Sequence, residues 1–188
     1  MKKIVLSLFV ALVAFGAKAQ TWNVDKAHSS VTFNITHMML SEVNGKFKKY
    51  DASFTSSKED FSDAVFTLTA DIASIDTDNS MRDGHLQGEK FFDAEKNPKL
   101  TFKSTSLKKL ADKKFEMKGN LTMKGITKPA TMMLTITGPI TDARSGKPKV
   151  GIKVTGTIDR TLWTISDMPE AALSNEVEIK AAGEFMRE

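Results

Sequence analysis

The sequence predicts an all-β fold of about eight antiparallel strands that pack on one another, as a sandwich or as a closed barrel. Polar and apolar residues alternate along nearly the whole chain after Gln20, which is the period of half-buried strands. Too little helical pattern remains to cover the apolar face of a sheet, so the strands must cover each other. Periodicity cannot choose between sandwich and barrel. Small residues (Ala70, Gly119, Gly156, Ala181, Gly183) interspersed among large ones on the apolar faces favour a barrel, because such alternation lets an interior taper or keep a cavity.

The first clear strand reads Val31, Phe33, Ile35 against Ser30, Thr32, Asn34, Thr36. The next stretch changes phase: Val43 and Phe47 hold one parity, Tyr50, Ala52 and Phe54 the other, and a bulge near Lys48-Lys49 would reconcile them. Further alternating runs follow at 66–72, 100–103, 115–124, 131–136, 152–158 and 176–181. Turn chemistry sits at Asn44-Gly45, Lys124-Gly125, Gly138-Pro139 and from Asp142 to Pro148. Asn44-Gly45 lies inside a possible strand. Three stretches read as helical or irregular: Ser57 to Asp63; Asp78 to Asp93, with Asp78 or Asn79 as the N-cap; and Met168 to Leu173, where Pro169 suits a first helical turn.

The N-terminus reads as a secretory signal: Lys2-Lys3, an apolar run from Ile4 to Phe15 broken by Ser7, and an Ala17-Lys18-Ala19 cleavage site. Cleavage after Ala19 leaves residues 20–188 as one domain. The apolar run is shorter than the roughly 20 residues a membrane span needs, so the mature domain is expected to be exported and soluble. Without Lys2, Lys3 and Lys18 the 27 basic residues fall to 24 against 23 acidic ones, and the net charge from +4 to +1. That removes a general electrostatic case for nucleic acid. With no cysteine in 188 residues, an exported domain rests on its core alone, and thiol chemistry is excluded.

No nucleophile elbow, dinucleotide fingerprint or phosphate loop is present. His28, His37 and His85, with Asp83 or Asp93, could hold zinc for a metal-dependent hydrolase. No two of them stand at i, i+4 and none belongs to a Cys/His motif, so hydrogen bonding within loops is the simpler role. The run Arg82-Asp83-Gly84-His85-Leu86 to Phe91-Phe92-Asp93 puts charge and two aromatic anchors in one connection, which suits the rim of an apolar pocket. Either Phe91 and Phe92 plug the core or they meet a ligand. Arg82 either contacts an anionic head group or pairs with an internal acid such as Asp83, the simpler reading. Asp25 and His28 read as ties between the first strand and its loop.

The chain from about Thr21 to Glu184 resembles the YceI-like family. The resemblance rests on Trp22-Asn23-Val24-Asp25-Lys26-Ala27-His28-Ser29, Val31, Phe33 and His37, Gly45-Lys46-Phe47, Ser74-Ile75-Asp76-Thr77, the Arg82 to Asp93 run, Pro98 with Thr101-Phe102, Gly119-Asn120-Leu121-Thr122 and Gly125-Ile126-Thr127-Lys128-Pro129. Gly88 and Lys90 stand where the family carries a Ser and an acid. Arg160-Thr161-Leu162-Trp163-Thr164 stands where it carries Arg-Ser-Asp-Phe-Gly.

The resemblance implies a single extended lipocalin-like β-barrel with short helices at its mouth. It implies a non-catalytic periplasmic carrier whose ligand is a long amphiphile: a polyisoprenoid, an isoprenoid quinone or a fatty-acyl compound. The expected lining is Phe33, Ile35, Phe66, Leu68 and Phe102 from the first half, with Phe91 and Phe92 at the rim. Met117, Leu121, Met123, Met132, Leu134, Ile152, Val154 and Trp163 supply the second half. His28, Arg82, Asp83 and His85 form the expected rim or head-group set. A lipid is the expected partner, no cofactor or metal is expected, and the reading admits a homodimer. Besides the hydrolase, a ligand-free stress or interaction domain with a filled core is the alternative.

Overall fold

The computed structural model describes residues 18–188, so the signal segment lies outside the described residues apart from its last two positions. The strands are β1 (Gln20–His37), β2 (Ser41–Phe47), β3 (Tyr50–Ser56), β4 (Val65–Asp71), β5 (Ile75–Asp76), β6 (Lys99–Ala111), β7 (Lys114–Met123), β8 (Ile126–Thr141), β9 (Pro148–Asp159) and β10 (Leu173–Arg187). Helix α1 spans Ser80–Gln87, and 3-10 turns cover Ile72–Ser74 and Arg160–Trp163. Every pairing is antiparallel, and β10 returns to pair with β1. The fold is therefore a closed barrel. β2 with β3, and β4 with β5, each act as one bent strand, which leaves eight around the circumference.

The bend falls where the parity changes. β2 and β3 run along the same side of β1, Lys46 opposite Thr32 and Ser53 opposite Asn23, and part at Lys48-Lys49. The break is held by Ser74, which is buried. Its hydroxyl accepts from Lys49 N at 2.9 Å and bonds the Asp71 carbonyl at 2.7 Å, while its own carbonyl accepts from Lys48 N. One serine thus reconnects both interrupted strands, where orphaned backbone groups would otherwise cost stability. A second irregularity lies in β1, where Lys26 to Ser29 stand against Gly183 alone.

Several expected turns are strand. Asn44-Gly45 lies within β2, and a Cβ on Gly45 would sit 2.2 Å from the Phe33 ring. Gly138-Pro139 is a bulge in β8, a position that tolerates a residue without an N–H. Ser57 to Asp63 and Met168 to Leu173 form turns with no helix, and within Asp78 to Asp93 only Ser80–Gln87 is helical.

The barrel is filled at one end. Trp22 stacks on Phe54 with centroids 5.5 Å apart, and Phe61 meets both edge-on at 5.7 and 5.8 Å. Phe66 and Phe185 pack on Phe54 at 4.8 and 5.7 Å. Phe115, Leu134, Ile136 and Val150 complete this buried floor. The loop carrying Phe61 is wrapped around the Asp63 carboxylate, which accepts from the Ser56 and Ser57 hydroxyls and from the Ser57 and Lys58 amides. Burial raises the Asp63 pKa, but these bonds outweigh it and hold the carboxyl well below its usual range.

A folded-state pKa below the unfolded value near 3.9 gives stability that is present above that pH and lost as acid is added. Urea midpoints should therefore hold steady from neutrality to about pH 5 and fall below about pH 4. Asp63→Asn should lower the midpoint at pH 7 and flatten its acid dependence; an unchanged profile would remove Asp63 from this role.

Glycines set the width of the lumen. A Cβ on Gly119 would lie 2.3 Å from the Phe102 ring and 2.6 Å from the Lys103 carbonyl oxygen. Phe102 thus lies flat over Gly119 and leaves the centre open. Because the Lys103 oxygen is backbone, Gly119→Ala should cost about 1–3 kcal/mol, read as a lower denaturation midpoint.

Candidate functional site

Above the aromatic floor the barrel encloses a cavity of about 520 Å³, within the range of small-ligand sites. Each strand that faces it turns large apolar side chains inward at alternate positions, as the pleat requires. Phe33, Ile35, Phe66, Leu68, Phe91, Phe92, Phe102, Met117, Leu121, Met123, Met132, Ile152 and Val154 all line it.

Leu134 and Trp163 do not. Leu134, buried to 1 %, belongs to the filled floor one inward position beyond Met132 along β8. Trp163, equally buried, donates its indole N–H to the Leu121 carbonyl at 3.1 Å and ties the Arg160–Trp163 turn to β7. Sequence reasoning missed Val31, Tyr50, Leu86, Leu100, Ile158, Val177, Ile179 and Phe185 on the wall. Apart from Leu86, which lies on α1, their signal was the same alternation; Val31, Leu100, Ile158, Val177 and Ile179 stand in runs already read as strand.

The other end of the barrel is the mouth. It is formed by the β1–β2 turn, the β5–α1–β6 connection, the β7–β8 turn and the β9–β10 connection. Asn79 caps α1 by accepting from Arg82 N at 3.1 Å. Phe92 packs edge-on to Phe47 with centroids 6.4 Å apart, and Phe47 lies 6.0 Å from Phe33. The Phe pair therefore both packs on the wall and faces the lumen.

Arg82 lines the cavity and makes no ion pair with Asp83. The two meet through buried Thr77. Arg82 donates from Nε to the Thr77 hydroxyl at 2.8 Å and from Nη2 to its carbonyl at 2.7 Å. Asp83 accepts from the same hydroxyl at 2.6 Å and from Thr77 N at 2.9 Å. This relay fixes α1 across the mouth. Asp83 itself does not reach the lumen, whereas His85 does.

The three histidines do not converge. His37 and His85 line the cavity, while His28 sits on the β1 bulge, away from it. Its Nδ1 is 2.9 Å from Asp25 Oδ2, and this hydrogen bond raises its pKa. Among the described residues, the group close enough to hold a metal is Asp25, His28 and Glu184. Lys149 Nζ already stands 2.9 Å from Glu184, 3.1 Å from Asp142 and 3.9 Å from Asp25, so an ammonium fills the place a cation would take.

Arg160 was not recognised as a site residue and is 2 % exposed at the cavity wall. Its Nε donates to Ser174 O, Nη1 to Ile165 O and Ser166 O, and Nη2 to Met168 O and Leu173 O, all within 2.8–2.9 Å. Every N–H of the fork is used, and each of these acceptors is a backbone carbonyl. One side chain thereby folds the connection between β9 and β10 into a lip. Burial lowers its pKa, but a guanidinium starts so high that it stays charged. Arg160→Met should cost on the order of 3–5 kcal/mol by stranding those carbonyls. Arg160→Lys, lacking the fork, should recover only part of it in thermal melts.

An eight-stranded barrel with a filled floor, an open mouth and an apolar lumen is a binding-type domain. The chain belongs to the YceI-like family, whose domain matches residues 22–185. It is 34 % identical to Protein YceI of Salmonella newport (strain SL254) over 189 residues, covering 97 % of this chain and 98 % of that one. The crystal structure of the Campylobacter jejuni YceI protein is similar at a TM-score of 0.71 and 27 % identity, covering 99 % of this chain and 98 % of that one. A polyisoprenoid binding domain from Saccharophagus degradans shares the fold, with a TM-score of 0.64 and 14 % identity over 90 % of this chain and 99 % of that one. Among the described residues, no helix is long and apolar enough to cross a membrane.

Proposed function

We propose that this protein is an exported, non-catalytic carrier that holds the chain of a long amphiphile, of the polyisoprenoid, isoprenoid quinone or fatty-acyl class, in the barrel lumen. The observation that carries the reading is the 520 Å³ apolar cavity sealed at one end and open at the other. Such a shape accepts an apolar chain tail first and leaves a polar head at the mouth. Burial of apolar surface at about 25 cal/mol per Å² supplies the driving force. Arg82, His85 and His37 border the lumen at that end beside Arg160, whose N–H groups are all taken by backbone carbonyls, so the first three are the head-group contacts of this reading. The periplasm is its location, from the signal segment and the Ala19 cleavage site.

Native mass spectrometry of protein purified gently from the envelope tests this directly. The chain should begin at Gln20 and carry a long-chain lipid as a discrete mass increment. Ala181→Phe turns a ring into the lumen from a position that lines it. It should keep or raise the melting temperature, because it fills space, while losing the increment. A wild-type protein with no increment, or a folded Ala181→Phe protein that still carries its lipid, would argue for the ligand-free domain.

A further inference from the structure

Six of the ten large exposed apolar side chains among the described residues lie at the open end, whereas Val65, Leu110 and Ile140 lie towards the closed end and Met133 on the outer wall. Leu40 (89 %), Met39 (72 %) and Met38 are exposed at the β1–β2 turn, Met81 (73 %) on α1, Leu162 on the Arg160–Trp163 turn and Met168 on the lip. The topology puts all of these segments at the open end. The tip is built to hold this display. Met38 and Met39 both adopt left-handed backbone, φ 53° and 57°, at a turn where Asn or Gly would be unstrained. Met38 N donates to Ala172 O at 2.9 Å, which fastens the tip to the lip. Met168 belongs to both surfaces, since it lines the cavity and is 38 % exposed. Met168 thereby joins the apolar lumen to the exposed rim.

We propose that this rim is a membrane-docking surface: the Met38-Met39-Leu40 tip, with Met81 and Met168, enters the outer layer of a lipid bilayer and sets the mouth of the lumen against it. This deepens the carrier reading and rests on it, because a long chain could then pass from bilayer to lumen without crossing water. Three features favour a bilayer over a second copy of the chain. The rim is divided among separate elements around an opening, so it offers points of insertion and no flat face. Its six side chains amount to about 400–700 Å² at the area that burying one such side chain implies, short of the roughly 800 Å² per partner of a stable interface. Exposed charges flank the apolar side chains, Glu42 and Lys46 beyond the tip and Asp167 and Glu170 on either side of Met168-Pro169, as in an interfacial element whose apolar side chains are immersed while their polar neighbours stay wet.

Attachment should be apolar in origin. Charges at this end are of both signs and many are paired, Lys46 and Lys48 with Asp76, Lys96 with Asp93 and Lys99 with Asp71. Among the described residues this mixture gives little single-sign charge to attract anionic lipid.

The test is flotation of the full chain lacking residues 1–19 with phosphatidylcholine vesicles, at low and at high salt. The wild type should float at both. Met39→Ser combined with Leu40→Ser should reduce the floated fraction at least tenfold. Leu40→Trp should show a blue-shifted emission on adding vesicles. A wild type that stays in the aqueous layer, a double variant that floats as well as wild type, or attachment abolished by salt would each overturn the proposal. So would a dimer in sedimentation that the double variant dissociates, because the rim would then be a self-association surface. Titration with a long polyprenol in the absence of vesicles separates the two readings. Polyprenol bound equally by wild type and variant, with no flotation, sinks the docking surface alone. Flotation without polyprenol binding sinks the carrier alone.

Discussion

The lumen exists because β1 and β10 pair. Trp22 to Asp25 match Arg187 to Glu184, and Ser30 to Ile35 match Ala182 to Val177. Without that seam the eight strands would form an open sheet with one bare apolar face and two sticky edges. β1 can close the barrel because it is long enough, at 18 residues, to meet β10 on one side and both halves of the bent β2–β3 strand on the other. The seam is also where the irregularity is concentrated. Gly183 has no Cβ because one would lie 1.9 Å from the Ser29 hydroxyl, which in turn accepts from Glu184 N. The bulge in β1 and the glycine in β10 are two halves of one fit.

Closure gives a tube, and what distinguishes the tube's ends gives a pocket. At the floor the inward positions of neighbouring strands carry rings that pack on one another, and Phe54 alone stacks or packs against Trp22, Phe61, Phe66 and Phe185. Towards the mouth, rings lie along the wall, over Gly45 and Gly119, and Met132 lies over Gly156. The same residue types thus fill space at one end and line it at the other, according to whether the neighbouring strand presents a side chain or a glycine.

Much of this was legible in the sequence. Alternation gave the strands and their inward faces, and the parity change between Phe47 and Tyr50 located the bend at Lys48-Lys49. Period-2 reasoning says which face a residue takes but not its depth along the axis. Leu134 and Met132 are therefore indistinguishable by pattern, although one is floor and the other wall. Trp163 lies in a 3-10 turn, outside any such pattern. The β1–β2 turn was missed for a different reason: Met38 and Met39 are poor turn residues, and a search for Gly, Pro or Asn passes over them. Arg160 keeps the Arg of the family-like stretch at 160–164, but its role could not be read there, because its partners are backbone carbonyls of five other residues and are set by the folded path.

That last case bears on how an apolar pocket keeps its shape. A mouth made of loops has backbone groups that need partners, and lumen side chains cannot supply them. Here the partners come from polar groups at the margin of the cavity: Arg160 for the lip, Thr77 with Arg82 and Asp83 for α1, and the Lys90 carbonyl for Ser166 N, which joins the lip to the α1–β6 connection. Of the two guanidinium groups that line the lumen, Arg160 spends every N–H on this frame, while Arg82 gives Nε and Nη2 to Thr77. On the carrier reading proposed above, selection among ligands would fall to the length and width of the chain, with head-group preference left to Arg82 and the histidines at the rim.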